Sequence, residues 1–387
     1  MDKPKRFIEC LLPVSVCNLK CDYCYVIQGG RRNMKMADLH YTPEQIAYAL
    51  RPERLGGICL INICGSGETL AQKELPDIVA CLLKSGHYIN ITTNGTFSFR
   101  FDELIQKCGK YISHLHIAFS FHYLELKKRN LLDVFFGNIR KMREAGASFV
   151  LQVNLYDEYI PVLDEIKDLS VKNTGALPQL ALTRNELSFP IKIHSKLSPT
   201  EYKKAGVSCC SPLFEFTCKN FNVVRKEFCY AGDWSFLLNL GTGVMRKCYE
   251  NNEGQQNIFE NPDAPIQFEA IGRNCKHTYC INSSHFMSLG VIPSVKTPTY
   301  AQLRNRETAN WYTEEMAAFL NHKLEESNKK YSFGYHCSRC FSNSAFKSLF
   351  HLRTYKDCIK NGIRRILPLR EKKYDWALEQ LFSKLDE

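Results

Sequence analysis

Residues 7–24 read FIECLLPVSVCNLKCDYC, and the fold is decided here. Residues 7–12 form a short apolar run of strand character, and the loop after it carries Cys17, Cys21 and Cys24 in a C-x3-C-x2-C spacing. Runs of the same kind, rich in Ile, Val, Leu and Phe, recur at 58–63, 88–93, 115–121, 149–155 and 179–182. Between them the spacing predicts helices at 43–51, 70–86, 100–109, 123–146 and 158–170. Thr42, Pro43 and Glu44 supply an N-cap, a first-position proline and a favourable charge at a helix start. Leu75, Ile78, Val79, Leu82 and Leu83 fall at helical spacing, and Pro76 places the start of that regular helix near 75. Repeated strand–helix units imply a parallel sheet. About six units before residue 185 predict an incomplete α/β barrel, since a full eightfold barrel takes about 250 residues.

The chain has 387 residues, 44% hydrophobic and 24% charged, with 21 Gly and 15 Pro. At roughly 150 residues per domain this predicts two or three domains, and it excludes a disordered chain, a collagen-like repeat and a small disulfide-stapled scaffold. No apolar run approaches the 18 or so residues that span a bilayer. The first residues, MDKPKRFIEC, lack the long apolar stretch and cleavage site of a signal peptide, so a cytoplasmic protein without membrane association is expected. Eighteen cysteines have no oxidising compartment to pair them there, which turns the clustered ones toward metal ligation or catalysis. Cys10, Cys59, Cys64, Cys81 and Cys108 lie in apolar stretches and read as small buried hydrophobes. The net charge of +11 is spread along the chain. Its one local concentration, Arg364, Arg365, Arg370, Lys372 and Lys373, comes without an RNA-binding signature or zinc-finger spacing, so no nucleic-acid partner is expected.

After about residue 205 the pattern changes. Cys209, Cys210, Ser211 and Pro212 mark an irregular connection. Residues 229–248 read as a hairpin, with strands at 234–240 and 244–248 around Gly241-Thr242-Gly243. From about 309 the chain reads as helical, most clearly at 313–326. The expected division is residues 1–205 for the partial barrel, 206–300 for a small cysteine-rich domain and 301–387 for a helical C-terminal segment.

Three thiolates on one short loop can hold three irons of a 4Fe–4S cubane and leave the fourth open to an outside ligand. Zinc is the structural alternative, although its four-coordinate sites usually draw on two separated pairs. With Tyr23 before the last cysteine, the loop resembles the signature of the radical S-adenosylmethionine (SAM) superfamily. The resemblance extends over about residues 5–185. Ser66-Gly67-Glu68 after the second strand departs by one small residue from the family's Gly-Gly-Glu. Thr92-Thr93-Asn94-Gly95-Thr96 ends the third strand, Ser120 and His122 follow the fourth, and Gln152 and Asn154 lie in the fifth. The resemblance implies a partial (β/α)6 barrel whose cluster binds SAM and cleaves it reductively to a 5′-deoxyadenosyl radical, which takes a hydrogen atom from a substrate. An external electron donor such as flavodoxin or ferredoxin is implied with it. Gly67 would let backbone approach the methionyl group, Glu68 or its backbone would meet the ammonium, and Thr93, Asn94, Ser120 and Asn154 could reach the carboxylate or ribose from the strand ends. Glu68 has a second reading, a charge placed at a helix N-terminus.

A second cysteine set lies downstream. Cys229, Gly243 and Cys248 resemble the opening of the SPASM and twitch extensions, which bind auxiliary iron–sulfur clusters. Cys275 and Cys280 are expected to complete one auxiliary 4Fe–4S site, with Cys337 and Cys340 as the competing pair. The full SPASM pattern is absent, so one auxiliary cluster is expected. His122 and His285 read as hydrogen-bonded structural histidines. Arg184 reads equally as a carboxylate partner or as one half of a surface ion pair. The resemblance suggests a peptide or protein side chain, or a small polar molecule such as a sugar, as substrate. No leader-recognition domain is evident before the cysteine loop, which begins by residue 17, and this weakens the expectation of a ribosomal-peptide maturase without excluding it. The reading from a different class is a zinc-stabilised nucleic-acid-binding protein.

Overall fold

A computed structural model describes residues 2–332 and 334, apart from 274, 276, 278 and 279. Six strands carry the first half: β1 (Arg6–Leu12), β2 (Cys59–Gly65), β3 (Tyr88–Thr93), β4 (Leu115–Ser120), β5 (Ser148–Leu155) and β6 (Gln179–Leu182). Each pairs in parallel with the next, in sequence order. Strands buried on both faces read as continuous apolar runs, which is why the sequence located them within a residue or two. The fold is α/β with a parallel sheet, as expected.

The connections hold α1 (Tyr25–Gln28), α2 (Pro43–Ala49), α3 (Pro52–Leu55), α4 (Leu75–Lys84), α5 (Ser98–Cys108), α6 (Tyr123–Lys128), α7 (Leu132–Glu144) and α8 (Leu163–Thr174). Thr42 caps α2 as expected, in a reciprocal capping box with Gln45. That helix stops short of the expected 51, because Pro52 forces Arg51 into an extended conformation. The single helix expected at 123–146 is two. Asn130 takes a left-handed conformation (φ 55°) between α6 and α7, which asparagine tolerates better than most residues. The helix expected at 158–170 opens as a 3-10 turn, Asp157–Val162, and becomes α-helical only after Pro161.

Beyond β6 follow a short antiparallel pair, β7 (Arg184–Asn185) with β8 (Lys192–Ile193), and the helices α9 (Pro199–Val207) and α10 (Pro212–Asn220). The expected hairpin is present as β9 (Ser235–Asn239) and β10 (Val244–Arg246), with β11 (Gln256–Asn257) on its outer edge. Gly243 (φ 75°) closes the turn, and a Cβ there would lie 2.6 Å from Phe259 side-chain atoms. The hairpin is not separate from the barrel sheet. β9 pairs in parallel with β1, Phe7 opposite Ser235 through Leu11 opposite Asn239, giving the order β11-β10-β9-β1-β2-β3-β4-β5-β6. Arg6 secures the join, with its guanidinium 2.8 Å from Asp233 Oδ1 and its Nε donating to the Leu55 carbonyl.

The last described elements are α11 (Ser283–Phe286), α12 (Tyr300–Arg304) and α13 (Glu314–Leu320). They underpin the N-terminal ends of β5 and β6. Phe149 N–H donates to the Trp311 carbonyl (2.9 Å), Thr313 N–H to Ser148 Oγ (2.9 Å) and Gln179 Nε2 to the Arg304 carbonyl (3.2 Å). The helix expected at 313–326 ends at Leu320, with a 3-10 turn at Leu324–Glu326. Residues Met1–Lys329 make up one compact unit. Cys337, Cys340 and the C-terminal basic stretch lie outside the described residues, and so does most of the segment expected to be helical.

Candidate active site

The barrel strands present two layers of side chains on one face. Toward the N-terminal ends, Glu9, Asn62, Asn90, His116 and Ser148 occupy matched register positions and are all buried. One to three steps nearer the C-terminal ends, on the same face, Cys64, Thr92, Ala118, Ser120, Gln152 and Asn154 are only half-buried. This face is therefore partly open at the C-terminal ends of the strands, where the cysteine loop lies. Ser120, Gln152 and Asn154 have no side-chain hydrogen-bond partner among the described residues, so these polar groups are free to meet a ligand.

The cysteine loop is fixed mostly by backbone. Gly67 N–H donates to the Val14 carbonyl and Glu68 N–H to the Val16 carbonyl, both at 2.7 Å. A Cβ on Gly67 would lie 2.3 Å from the Val16 carbonyl oxygen, so no other residue fits this position. The structure thus gives Gly67 a task the sequence did not suggest, the close approach of two loops. Glu68, which is 2% exposed, accepts from Leu70 N–H (2.9 Å), Thr93 Oγ1 (2.5 Å) and Asn94 N–H (2.7 Å). Burial raises its carboxyl while these three donors hold it down. It caps the 3-10 turn Thr69–Ala71 and staples that turn to the end of β3, close to the helix-terminus reading. With both oxygens and the Thr93 hydroxyl engaged, the backbone carbonyls around Gly67 are what this loop has left for an ammonium group.

Asn94 links β3 to the cysteines. Its Nδ2 lies 3.8 Å from Cys17 Sγ and donates to Asn18 Oδ1 (2.8 Å), while Asn18 Nδ2 donates to Thr96 Oγ1 (2.8 Å). Tyr23 is buried, and its hydroxyl shares hydrogen bonds with His122 Nδ1 (2.6 Å) and the Tyr159 hydroxyl (3.1 Å). Tyr23 thus braces the loop, and His122 is the structural histidine expected. Arg184 ion-pairs with Glu186 at 3.3 Å. Gln28 holds the β7 strand to α1, donating to the Arg184 carbonyl (3.1 Å) and accepting from Glu186 N–H (3.1 Å).

Cys17, Cys21 and Cys24 are close enough to interact. Burial pushes the Cys21 thiol up, and negative charge on Cys17 and Cys24 pushes it further. Cys229, Cys248, Cys275 and Cys280 come together around a cavity, with Tyr249, His277, Phe286 and Ile292 in its wall. Cys229 is set by paired backbone hydrogen bonds with Gly272 (3.1 and 2.9 Å). Cys229 and Cys280 rest on an apolar cluster formed by Leu213, Phe216, Met287, Ile292 and Leu303. Burial raises the Cys229 thiol well above the usual range and the Cys280 thiol to about 12, each reinforced by the neighbouring cysteines. Four thiols so placed resist ionising together unless a cation compensates their charge, and both cysteine sets suit an iron–sulfur group on that ground. Among the described residues no three His, Cys, Asp or Glu side chains converge on a point as ligands of one metal ion must. A cubane asks less, because each thiolate takes a different iron.

Sequence reasoning missed the buried row. His116 Nδ1 donates to Asn90 Oδ1 (2.5 Å), Asn90 Nδ2 to Asn62 Oδ1, and Asn62 Nδ2 to Glu9 Oε1 (2.7 Å). The available signal was one polar residue interrupting each of four apolar strands at a similar depth. His285, expected to be hydrogen-bonded, is not: its buried Nδ1 has no partner and stands 3.8 Å from Glu9 Oε2.

Comparison with known proteins follows this geometry. No curated protein matches the sequence. SuiB of Streptococcus suis, solved with the precursor peptide SuiA, is 15% identical, with 70% of this chain and 65% of that chain covered and a TM-score of 0.48. SuiB bound to S-adenosylmethionine is 15% identical over 69% of this chain and 64% of that chain (TM-score 0.46). Native anSMEcpe with bound AdoMet and Cp18Cys peptide is 15% identical over 67% of this chain and 79% of that chain (TM-score 0.45). The chain spans just under two thirds of the length of SuiB. Among the described residues no helix is long and apolar enough to cross a membrane. Residues 11–169, which hold the cysteine loop, the Gly67–Glu68 turn and strands β2 to β5, match the model of the radical SAM superfamily.

Proposed function

We propose that the protein is a radical SAM enzyme with one auxiliary iron–sulfur site, acting on a peptide side chain or a small polar molecule. The observation that carries the reading is the three-cysteine loop at the C-terminal ends of the barrel strands, where Ser120, Gln152 and Asn154 are half-buried and unpaired among the described residues. With a 4Fe–4S cluster and SAM bound there, the site supplies a 5′-deoxyadenosyl radical able to take a hydrogen atom from an unactivated carbon. Cys17, Cys21 and Cys24 would hold the irons. Asn94 and the carbonyls around Gly67 would orient SAM, and Ser120, Gln152 and Asn154 would recognise its polar groups or those of the substrate. Tyr23, Glu68 and Thr93 act one step back, fixing the loops that carry these contacts.

Cys229, Cys248, Cys275 and Cys280 would hold the auxiliary 4Fe–4S cluster. Four ligands leave no iron open, which suits electron transfer better than substrate binding. In this reading residues 1–205 serve the radical site, 206–300 the auxiliary site, and 301–387 form a third segment. A one-electron donor such as flavodoxin or ferredoxin supplies the reducing equivalent, and a cytoplasmic setting keeps the thiols reduced.

The test is anaerobic reconstitution of the full chain followed by iron and sulfide analysis. About eight irons with equal sulfide are expected from two cubanes, together with 5′-deoxyadenosine from SAM under dithionite. Stoichiometric zinc without sulfide would overturn the proposal in favour of a zinc-stabilised nucleic-acid-binding protein.

A further inference from the structure

The buried polar row does not end in the barrel. Every hydrogen bond along it points the same way, from His116 through Asn90 and Asn62 to Glu9 Oε1. The same oxygen accepts from Cys64 Sγ at 3.3 Å and from the Tyr249 hydroxyl at 3.1 Å. Cys64 is half-buried on the same face of β2 as Asn62, one step nearer the C-terminal end. Tyr249 lines the four-cysteine cavity and follows Cys248 in the chain. Glu9 itself is fully buried, and its other oxygen, Oε2, has no hydrogen-bond partner among the described residues. A carboxyl group with one crowded and one idle oxygen thus spans the two sites.

We propose that Cys64 and Glu9 form a proton relay on the inner face of the barrel, with Glu9, held by the Tyr249 hydroxyl, taking up the proton that a substrate radical releases as its electron leaves toward the four-cysteine pocket. The inference rests on the reading of that pocket as an iron–sulfur site. A substrate radical C•–XH becomes C=X by losing one electron and one proton. The electron would be accepted by an oxidised iron–sulfur cluster that Cys229, Cys248, Cys275 and Cys280 would hold. The proton passes from X–H to Cys64 sulfur as Cys64 hands its own S–H proton to Glu9.

The surroundings fit an exchangeable proton. Cys64 and Asn62 on β2, Tyr249 after β10, His285 on α11, and Tyr300 and Arg304 on α12 are the polar and charged groups that face Glu9. Burial raises the Glu9 carboxyl to about 7, against the pull of its three donors and the Arg304 charge. The His285 ring is held neutral by burial and by Arg304, so it does not lock Glu9 in its ionised form. An electron in the neighbouring pocket raises the proton affinity of Glu9 further.

The test measures the midpoint potential of the pocket centre against pH, in the full chain with Cys17, Cys21 and Cys24 replaced by Ala. From about pH 7 upward, with Glu9 intact, the potential is expected to fall by up to about 59 mV for each tenfold drop in proton activity. Glu9→Gln is expected to flatten that slope. Tyr249→Phe, which keeps the ring and removes the hydroxyl on Glu9, is expected to reduce it and serves alone if Glu9→Gln fails to fold. A slope unchanged by these substitutions overturns the relay while leaving the auxiliary site standing. A parent protein with no iron and sulfide in the pocket overturns the auxiliary site and the relay with it.

Discussion

The chain gathers cysteines in two ways. Cys17, Cys21 and Cys24 sit within one short loop, and its geometry is set by backbone hydrogen bonds to the Gly67–Glu68 turn and by the Asn18–Asn94–Thr96 contacts. Cys229, Cys248, Cys275 and Cys280 arrive from separate segments and meet only because the hairpin, the Gly272 bridge and the apolar cluster under α10 and α12 are in place. The first site is a local property of sequence, and the second is a property of tertiary packing.

The largest effect should come from striking the local site. Replacing Cys17, Cys21 and Cys24 together by Ala should reduce 5′-deoxyadenosine formation to background while the far-ultraviolet circular dichroism stays unchanged, since the ligands lie on a loop. Persistent SAM cleavage would show that this loop is not the radical site. In that triple background, Cys275→Ala with Cys280→Ala should release the remaining roughly four irons of one cubane. Cys337→Ala with Cys340→Ala should not, and the opposite result would move the ligand role to the later pair. The smallest and most discriminating change is Gly67→Ala. The added methyl meets the Val16 carbonyl, an overpacking that should cost about 1–3 kcal/mol. If the loop is a local unit, iron is lost from the first site and kept in the second, as read by their separate electron paramagnetic resonance signals.

The parallel strands were legible because burial on both faces leaves unbroken runs of Ile, Val, Leu and Phe, and the cysteine loop because its spacing is tight and contiguous. The turn at Asn130 was hidden, since helical periodicity continues across it and only the left-handed backbone marks the break. The hairpin was legible as a hairpin through its turn glycines, but nothing local in residues 235–239 names β1 as a partner. Glu9, Asn62, Asn90 and His116 escaped notice for a related reason. Each is a single polar interruption in its own strand, and their meaning lies in a shared register that the sequence does not display. The structural part of Glu68 and Thr93 could be anticipated only as a capping charge, since their bonds to each other cross between strands β2 and β3.

The pairing of β1 with β9 sets an order of events during synthesis. Residues 7–11 leave the ribosome far ahead of their partners at 235–239. At roughly 5–20 residues per second the outer edge of β1 waits on the order of 10–50 s for its neighbour. An open edge of that kind invites pairing with other chains. The three-cysteine loop needs only β1 to β5 and the turns beyond them, as far as Tyr159, so it is complete while that edge is still open. Its thiols therefore stand ready, and exposed to oxidation, well before the second set has been made. On the proposed reading, iron supplied early in the life of the chain would have one site to fill, and iron supplied later would have two.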